Sequence, residues 1–354
     1  MISLLVGTPH STRSTGARFP GPHRAVRLLV VSTSDRFLAA ALAFDREGSP
    51  SQAELARGIA GDPTALAVVE RAEEARRQPV LVLAVCRWLG APHGSWSALR
   101  PWLLARSDDV VAELGRRLTQ TNDVRRCAPL SIALARVPGP IALIEVGASA
   151  GLCLGVDRYG YRSGDRAWGD ASSTVQLGID VVVEGATRSR PELPTGRLPE
   201  VVWRAGIDLD PVDVRDPEQV AWLETLLPPE RGDRRDLLRR AVALARTAPP
   251  RLVAADAVDG LAALVDEAPT DATPVVVSTG TLVYLPGRRR QAFVDEVGRL
   301  GARWISYERR DLLTDVVAEV PPGVSADDAF AALALDGRVL GVGDAHGTRL
   351  HLTA

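Results

Sequence analysis

The sequence contains no lysine: all 42 basic residues in its 354 are arginine. That absence removes the P-loop lysine of nucleoside triphosphate enzymes, the strand lysine of kinases and the amine of a Schiff base. GC-rich codon usage accounts for it, since Ala, Arg, Gly and Pro are all in excess, and the exclusions hold whatever its origin. Cysteine is almost as scarce. Cys86, Cys127 and Cys153 are far apart, odd in number and outside any C-x-x-C or Cys/His pattern, so neither a disulfide framework nor a metal site is expected. An excess of one charge is also missing: the formal net charge is -2, with arginines and acids interspersed, which advertises no polyanionic partner such as nucleic acid. No run approaches the roughly 20 apolar residues of a membrane span. These absences together predict a soluble, cytoplasmic protein in a reducing compartment, with neither nucleic acid nor membrane as partner.

What is present divides at Pro138-Gly139-Pro140. The length allows two domains. Residues 1–33 carry arginines without acids and are expected to be disordered. From about Ser34 to 138 the pattern is helical, with start signals at Asp62-Pro63, Pro79, Ser107-Asp108-Asp109 and Asn122-Asp123. Ser51-Gln-Ala-Glu54 reads as a capping box that starts a helix. After the break, short apolar runs alternate with helical stretches, which predicts an α/β domain over 139–354 with a mostly parallel sheet. Seven strands are expected, at Ile141–Val146, Val202–Leu209, Arg251–Ala255, Thr273–Thr279, Arg303–Tyr307, Val339–Val342 and Thr348–Thr353. The last two flank Gly343–Gly347 and predict a C-terminal antiparallel hairpin. Residues 172–200 read as an inserted hairpin and loop outside the sheet.

The densest chemical signal is Glu145-Val-Gly147-Ala-Ser149-Ala-Gly151, a glycine-rich turn after a buried strand. A dinucleotide fingerprint needs glycines at 149 and 152, where this chain has Ser149 and Leu152. Read literally, Gly147–Gly151 is G-x-S-x-G, the nucleophile elbow of serine hydrolases, with Asp256 or Glu308 and then His346 in the required order. An elbow, however, follows several strands, and only helices precede Ile141. Gln120, Thr121, Asn122 and Asp123 read as a helix cap, with a lid contacting substrate as the alternative. Arg125-Arg126 read as helix-end cations, with anion binding as the minority view, and Tyr159 and Tyr161 as core residues.

The turn and the residues that follow it resemble class I S-adenosylmethionine-dependent methyltransferases. The motif at Glu145–Gly151 is similar to their E/D-x-G-x-G-x-G, with Ser149 in place of the middle glycine. Ala205-Gly-Ile-Asp208-Leu-Asp210-Pro211 resembles the strand-end carboxylate that takes the ribose hydroxyls, and Leu252-Val-Ala-Ala-Asp256-Ala257 the site that faces adenine. Val275–Leu285 and Trp304–Glu308 resemble the following strands and the loop at the methyl acceptor. This resemblance implies a Rossmann-like fold, S-adenosylmethionine as cofactor at Glu145, Gly147, Ser149, Gly151, Asp208, Asp210, Asp256 and Ala257, and Thr279, Tyr284 and Glu308 on the acceptor side. With a helical lid and no basic surface, the acceptor is expected to be a small molecule. A binding protein without turnover on the same fold is the non-enzymatic alternative. From about Ser34 the whole chain also resembles domain-of-unknown-function family 2332, through Gln120-Thr-Asn-Asp123, Glu145–Leu152, Asp157-Arg-Tyr-Gly-Tyr161, Gly206–Val212 and His346-Gly347 among other stretches.

Overall fold

The computed structural model describes residues 32–120, 122–183, 193–313, 316 and 318–353. The expected disordered segment therefore lies outside the described residues up to residue 31. By backbone contacts the chain forms two compact units, one running to Thr119 together with Pro228–Glu230, the other comprising Gln120–Leu227 and Arg231–Ala354.

The first unit holds six helices among its described residues: α1 (Thr33–Arg46), α2 (Pro50–Gly61), α3 (Pro63–Val69), α4 (Pro79–Trp88), α5 (Trp96–Ala105) and α6 (Ser107–Arg116). Asp62 caps α3 through the N–H groups of Thr64 and Ala65, and Pro79 occupies the first turn of α4, as the local signals predict. The capping box at Ser51 does not form. Pro50, with its φ already set for a helix, starts α2 one residue earlier. The Ser51 N–H then meets Glu230, and the Glu54 carboxylate accepts the N–H of Trp96. In α4, Leu81–Cys86 are all buried, the mark of a helix enclosed by its neighbours rather than amphipathic on one face.

The second unit contains α7 (Cys127–Leu134), α8 (Pro217–Leu226), α9 (Gly232–Thr247), α10 (Leu261–Glu267) and α11 (Gly287–Arg299), and the strands β1 (Ile141–Val146), β2 (Gly160–Ser163), β3 (Arg166–Gly169), β4 (Gln176–Gly178), β5 (Asp180–Val183), β6 (Val201–Asp208), β7 (Arg251–Ala254), β8 (Thr273–Thr279), β9 (Arg303–Arg309), β10 (Ala331–Leu335), β11 (Arg338–Gly343) and β12 (Arg349–Leu352). The large sheet has nine strands, not seven, in the order β5-β12-β11-β10-β9-β8-β1-β6-β7. β9, β8, β1, β6 and β7 run parallel, while β10, β11 and β12 form an antiparallel meander on β9. The expected terminal hairpin is β11–β12. The two additional strands are β10, whose Ala-Ala-Leu-Ala-Leu carries little β-propensity, and β5, which pairs in parallel with β12. Residues 172–200 are thus not a separate hairpin: β4 pairs with β2 in a small three-stranded sheet, and residues 184–192 lie outside the described residues.

All six residues of β1 are buried, as a central parallel strand covered on both faces requires. On one face Ile144, Val146, Ile207 and Val276 pack with Leu261 and Leu264 of α10, Phe293 and Val297 of α11, and Trp304. Contacts on the sheet also come from α7, against β9 and β10, and from the 3-10 segment Leu152–Arg158, against β1 and β6. The chain leaves β1 toward β6 and β7, then returns to β8 and β9, so the strand order reverses between β1 and β8. In open α/β sheets the carboxyl ends at such a reversal form the ligand crevice.

Candidate functional site

Three left-handed residues make the turn after β1: Gly147 at φ +72°, Ser149 at +49° and Gly151 at +66°. Gly147 is also sterically required, because a Cβ there would lie 2.2 Å from the Thr281 hydroxyl. That hydroxyl donates to the Val146 carbonyl at 3.0 Å and ties the ends of β1 and β8 together. On the other side the N–H groups of Gly147 and Ala148 donate to the Ile207 carbonyl, and the Ser149 N–H donates to Asp208 Oδ2 at 2.8 Å. Asp208 Oδ1 accepts the N–H of Asp210 at 2.9 Å. Asn122 closes over this turn: its Nδ2 donates to Ser149 Oγ at 2.5 Å and its Oδ1 accepts the Ala150 N–H at 3.0 Å. Beneath the turn, Glu145 is buried with Oε2 unpartnered. Burial, with the Cys153 thiol and Asp208 nearby, pushes its carboxyl well above the usual range.

At the ends of β8 and β9, Glu308 is only 2% exposed and accepts the backbone N–H groups of Thr281 and Leu282 at 3.1 and 3.3 Å. Burial pushes its carboxyl up to about 7, against the opposing pull of those N–H groups and of Arg126. The Thr279 carbonyl accepts Arg126 Nη1 at 2.9 Å, and the Ala345 carbonyl accepts Arg126 Nε at 3.2 Å. Next to it, Asp123 gathers Arg125, Arg234 and His346, with His346 Nδ1 2.9 Å from Asp123 Oδ2. Burial opposes ionisation of Asp123, but the two guanidinium groups and the imidazole together hold its carboxyl well below the usual range.

The residues expected to form the site fall into three groups. Glu145, Gly147, Ser149, Gly151, Asp208 and Asp210 converge on the β1 and β6 ends, and Thr279 and Glu308 on the β8 and β9 ends. Asp256 sits at the end of β7, but its carboxylate is engaged by the N–H groups of Val258 and Asp259 and by Arg289, and Ala257 packs against the core. Tyr284 is half exposed on the 3-10 turn Leu282–Tyr284, and the hydrogen bonds to Glu308 come from the backbone before it.

The polar cluster at 120–123 does more than cap. Asp123 does cap the 3-10 turn Val124–Arg126 through the Arg125 N–H, yet Asn122 clamps the glycine turn and Gln120 donates to the Asp210 carbonyl at 2.9 Å. Thr121 lies outside the described residues. Arg126 ends the 3-10 turn Val124–Arg126, as expected, but its side chain is buried over Gly280, whose φ of +64° and missing Cβ leave room for the guanidinium. The Ser149 hydroxyl meets Asn122, whereas the His346 ring meets Asp123. Tyr159 and Tyr161 are core residues, with hydroxyls donating to the carbonyls of Leu152 and Val156.

Comparison with curated proteins gives no match. The sequence profile of DUF2332, described as an uncharacterized protein conserved in bacteria, matches residues 34–351, and the chain belongs to that family.

Proposed function

We propose that the protein is a methyltransferase that uses S-adenosylmethionine to methylate a small molecule at the carboxyl ends of β6, β1, β8 and β9. The observation that carries this reading is the bond from the Ser149 N–H to Asp208 Oδ2. It joins the glycine turn of one strand to the acid of its neighbour, beside the reversal of strand order, in a Rossmann-like set of five parallel strands.

The residues present suit the nucleoside part of that cofactor. Each Asp208 oxygen holds one backbone N–H and keeps a second acceptor site, enough for the two hydroxyls of a ribose. Leu209, directly after it, is 76% exposed and offers an apolar face to a purine. Asn122 already holds the Ala150 N–H and the Ser149 hydroxyl, so the amino-acid end would be received by the remaining groups of the turn. When bound, the sulfonium supplies an activated methyl carbon. The residues of the chain then have to bind, orient and manage one proton, and orientation alone can contribute several kcal/mol of rate. Glu308, with its carboxyl near 7, can hold or accept a proton at neutral pH. Through the Thr281 and Leu282 N–H groups it also fixes the turn that follows Thr279.

A serine hydrolase needs a base on Ser149, and the Ser149 hydroxyl is bonded to an amide side chain instead. Incubation with methyl-labelled S-adenosylmethionine and a bacterial small-molecule extract tests the proposal. Label transferred to a small molecule, with S-adenosylhomocysteine released in equal amount, is expected. Cofactor binding without any transfer would favour a binding protein, and neither binding nor transfer would refute the reading.

A further inference from the structure

We propose that Arg126 forms a binding site for a carboxylate group carried by a small molecule at the carboxyl ends of β8 and β9. Arg126 is nine-tenths buried. Its Nε and Nη1 are held by the carbonyls of Ala345 and Thr279, which fix the plane of the guanidinium but bring no charge to balance it. Among the described residues no carboxylate lies within ion-pair distance of it, whereas the adjacent Arg125, and Arg234 with it, are turned onto Asp123. The nearby acid, Glu308, spends its oxygens on the backbone of Thr281 and Leu282. Buried charges are paired as a rule, because desolvation is costly unless an opposite charge offsets it.

The shape of the site indicates the missing partner. A Cβ at Gly280 would stand 2.6 Å from Arg126 Nη1, so the backbone there is built to let the guanidinium lie against it. Nη2 has no hydrogen-bond partner among the described residues and is not sealed from solvent, which leaves that edge open to a ligand. A guanidinium edge matches the two oxygens of a carboxylate. One positive charge without a carboxylate at ion-pair distance suits a single negative charge better than the two of a phosphate monoester. If the carboxylate belongs to the methyl acceptor, this assignment rests on the methyl-transfer reading and names its substrate class. The anion site itself does not depend on it.

The experiment titrates the full-length protein with acetate, benzoate and inorganic phosphate in a buffer free of other anions that bind arginine. Arginine side-chain 15N resonances and heats of binding are followed for wild type, Arg126→Lys, Arg126→Gln and the surface control Arg116→Gln. Saturable carboxylate binding that shifts the Arg126 resonance, falls at least tenfold in Arg126→Gln, survives in part in Arg126→Lys and is unchanged in Arg116→Gln is expected. The wild-type resonance shift keeps the test valid if Arg126→Gln fails to fold. No shift of that resonance with either carboxylate, equal losses in Arg126→Gln and Arg116→Gln, or tighter binding of phosphate would overturn the assignment. S-adenosylmethionine binding, measured on the same wild-type sample, separates the two ideas. Cofactor without carboxylate refutes this site alone, and carboxylate without cofactor refutes the methyl-transfer reading alone.

Discussion

Replacing Glu308 by Gln should make the protein more stable at alkaline pH and change its stability much less at acid pH. The carboxyl moves from an ordinary 4.5 to about 7 on folding, because burial outweighs the donors on its oxygens and the Arg126 charge nearby. Below 4.5 it is protonated in both the folded and the unfolded chain, and its titration costs nothing. Between 4.5 and 7 the unfolded chain releases the proton while the folded one retains it, so wild-type stability falls as pH rises. Above 7 the loss is complete. At about 1.4 kcal/mol per pH unit it totals about 3–4 kcal/mol. The neutral amide carries no such cost. The stability of Glu308→Gln minus that of wild type should therefore rise by roughly 2 to 3 kcal/mol between pH 5 and pH 8, measured by urea unfolding at both pH values. A 13C titration of the Glu308 carboxyl should give a midpoint near neutrality. A pH-independent difference, or a midpoint in the ordinary glutamate range, would refute the reasoning.

Other parts of the site allow equally direct tests. Gly147→Ala puts a Cβ against the Thr281 hydroxyl at a left-handed φ. It should lower the melting temperature sharply, and the double variant with Thr281→Ala should lose less than the sum of the two single losses. Asn122→Ala removes both bonds that clamp the turn and should cost about 1–3 kcal/mol in urea unfolding. Asp123→Ala removes the buried carboxylate shared by Arg125, Arg234 and His346 and should cost about 3–5 kcal/mol at pH 7. Because the Asp123 carboxyl is held well below the usual range, that contribution is complete above the ordinary aspartate range and lost only as the pH falls toward the lowered value. The difference between wild type and Asp123→Ala should therefore shrink in strong acid, and a constant difference from pH 7 downward would contradict the assignment.

The parts of this fold that could be read from sequence are those that local chemistry decides. Ile141–Val146 and Thr273–Thr279 are strands over the expected spans, because a buried parallel strand is a mostly apolar run, here ended by Gly147 and Gly280. β10 was hidden, because Ala331–Leu335 is made of good helix formers and becomes a strand only by pairing between β9 and β11. β5 was hidden for a related reason: its place in the large sheet depends on β12, well over a hundred residues away. The same division runs through the site. Gly147, Gly151 and Asp208 carry their roles in residue type and position on a strand end. Asn122 and Arg126 do not, since a polar residue before a helix reads as a cap and paired arginines read as a solvated end. Their roles come from the chain brought over them in space, Ser149 and Ala150 in one case and Thr279, Gly280 and Ala345 in the other.

Methyl transfer requires that the joined turn of β1 and acid of β6 bind the nucleoside of S-adenosylmethionine. Equilibrium binding of that ligand to the purified full-length protein, with Asp208→Asn in parallel, measures it. Saturable binding in wild type, weakened at least tenfold in a folded Asp208→Asn protein through the loss of the charge and of one of the two hydroxyl-accepting oxygens, is the predicted result. No saturable binding at millimolar ligand, or binding that Asp208→Asn leaves unchanged, would contradict it.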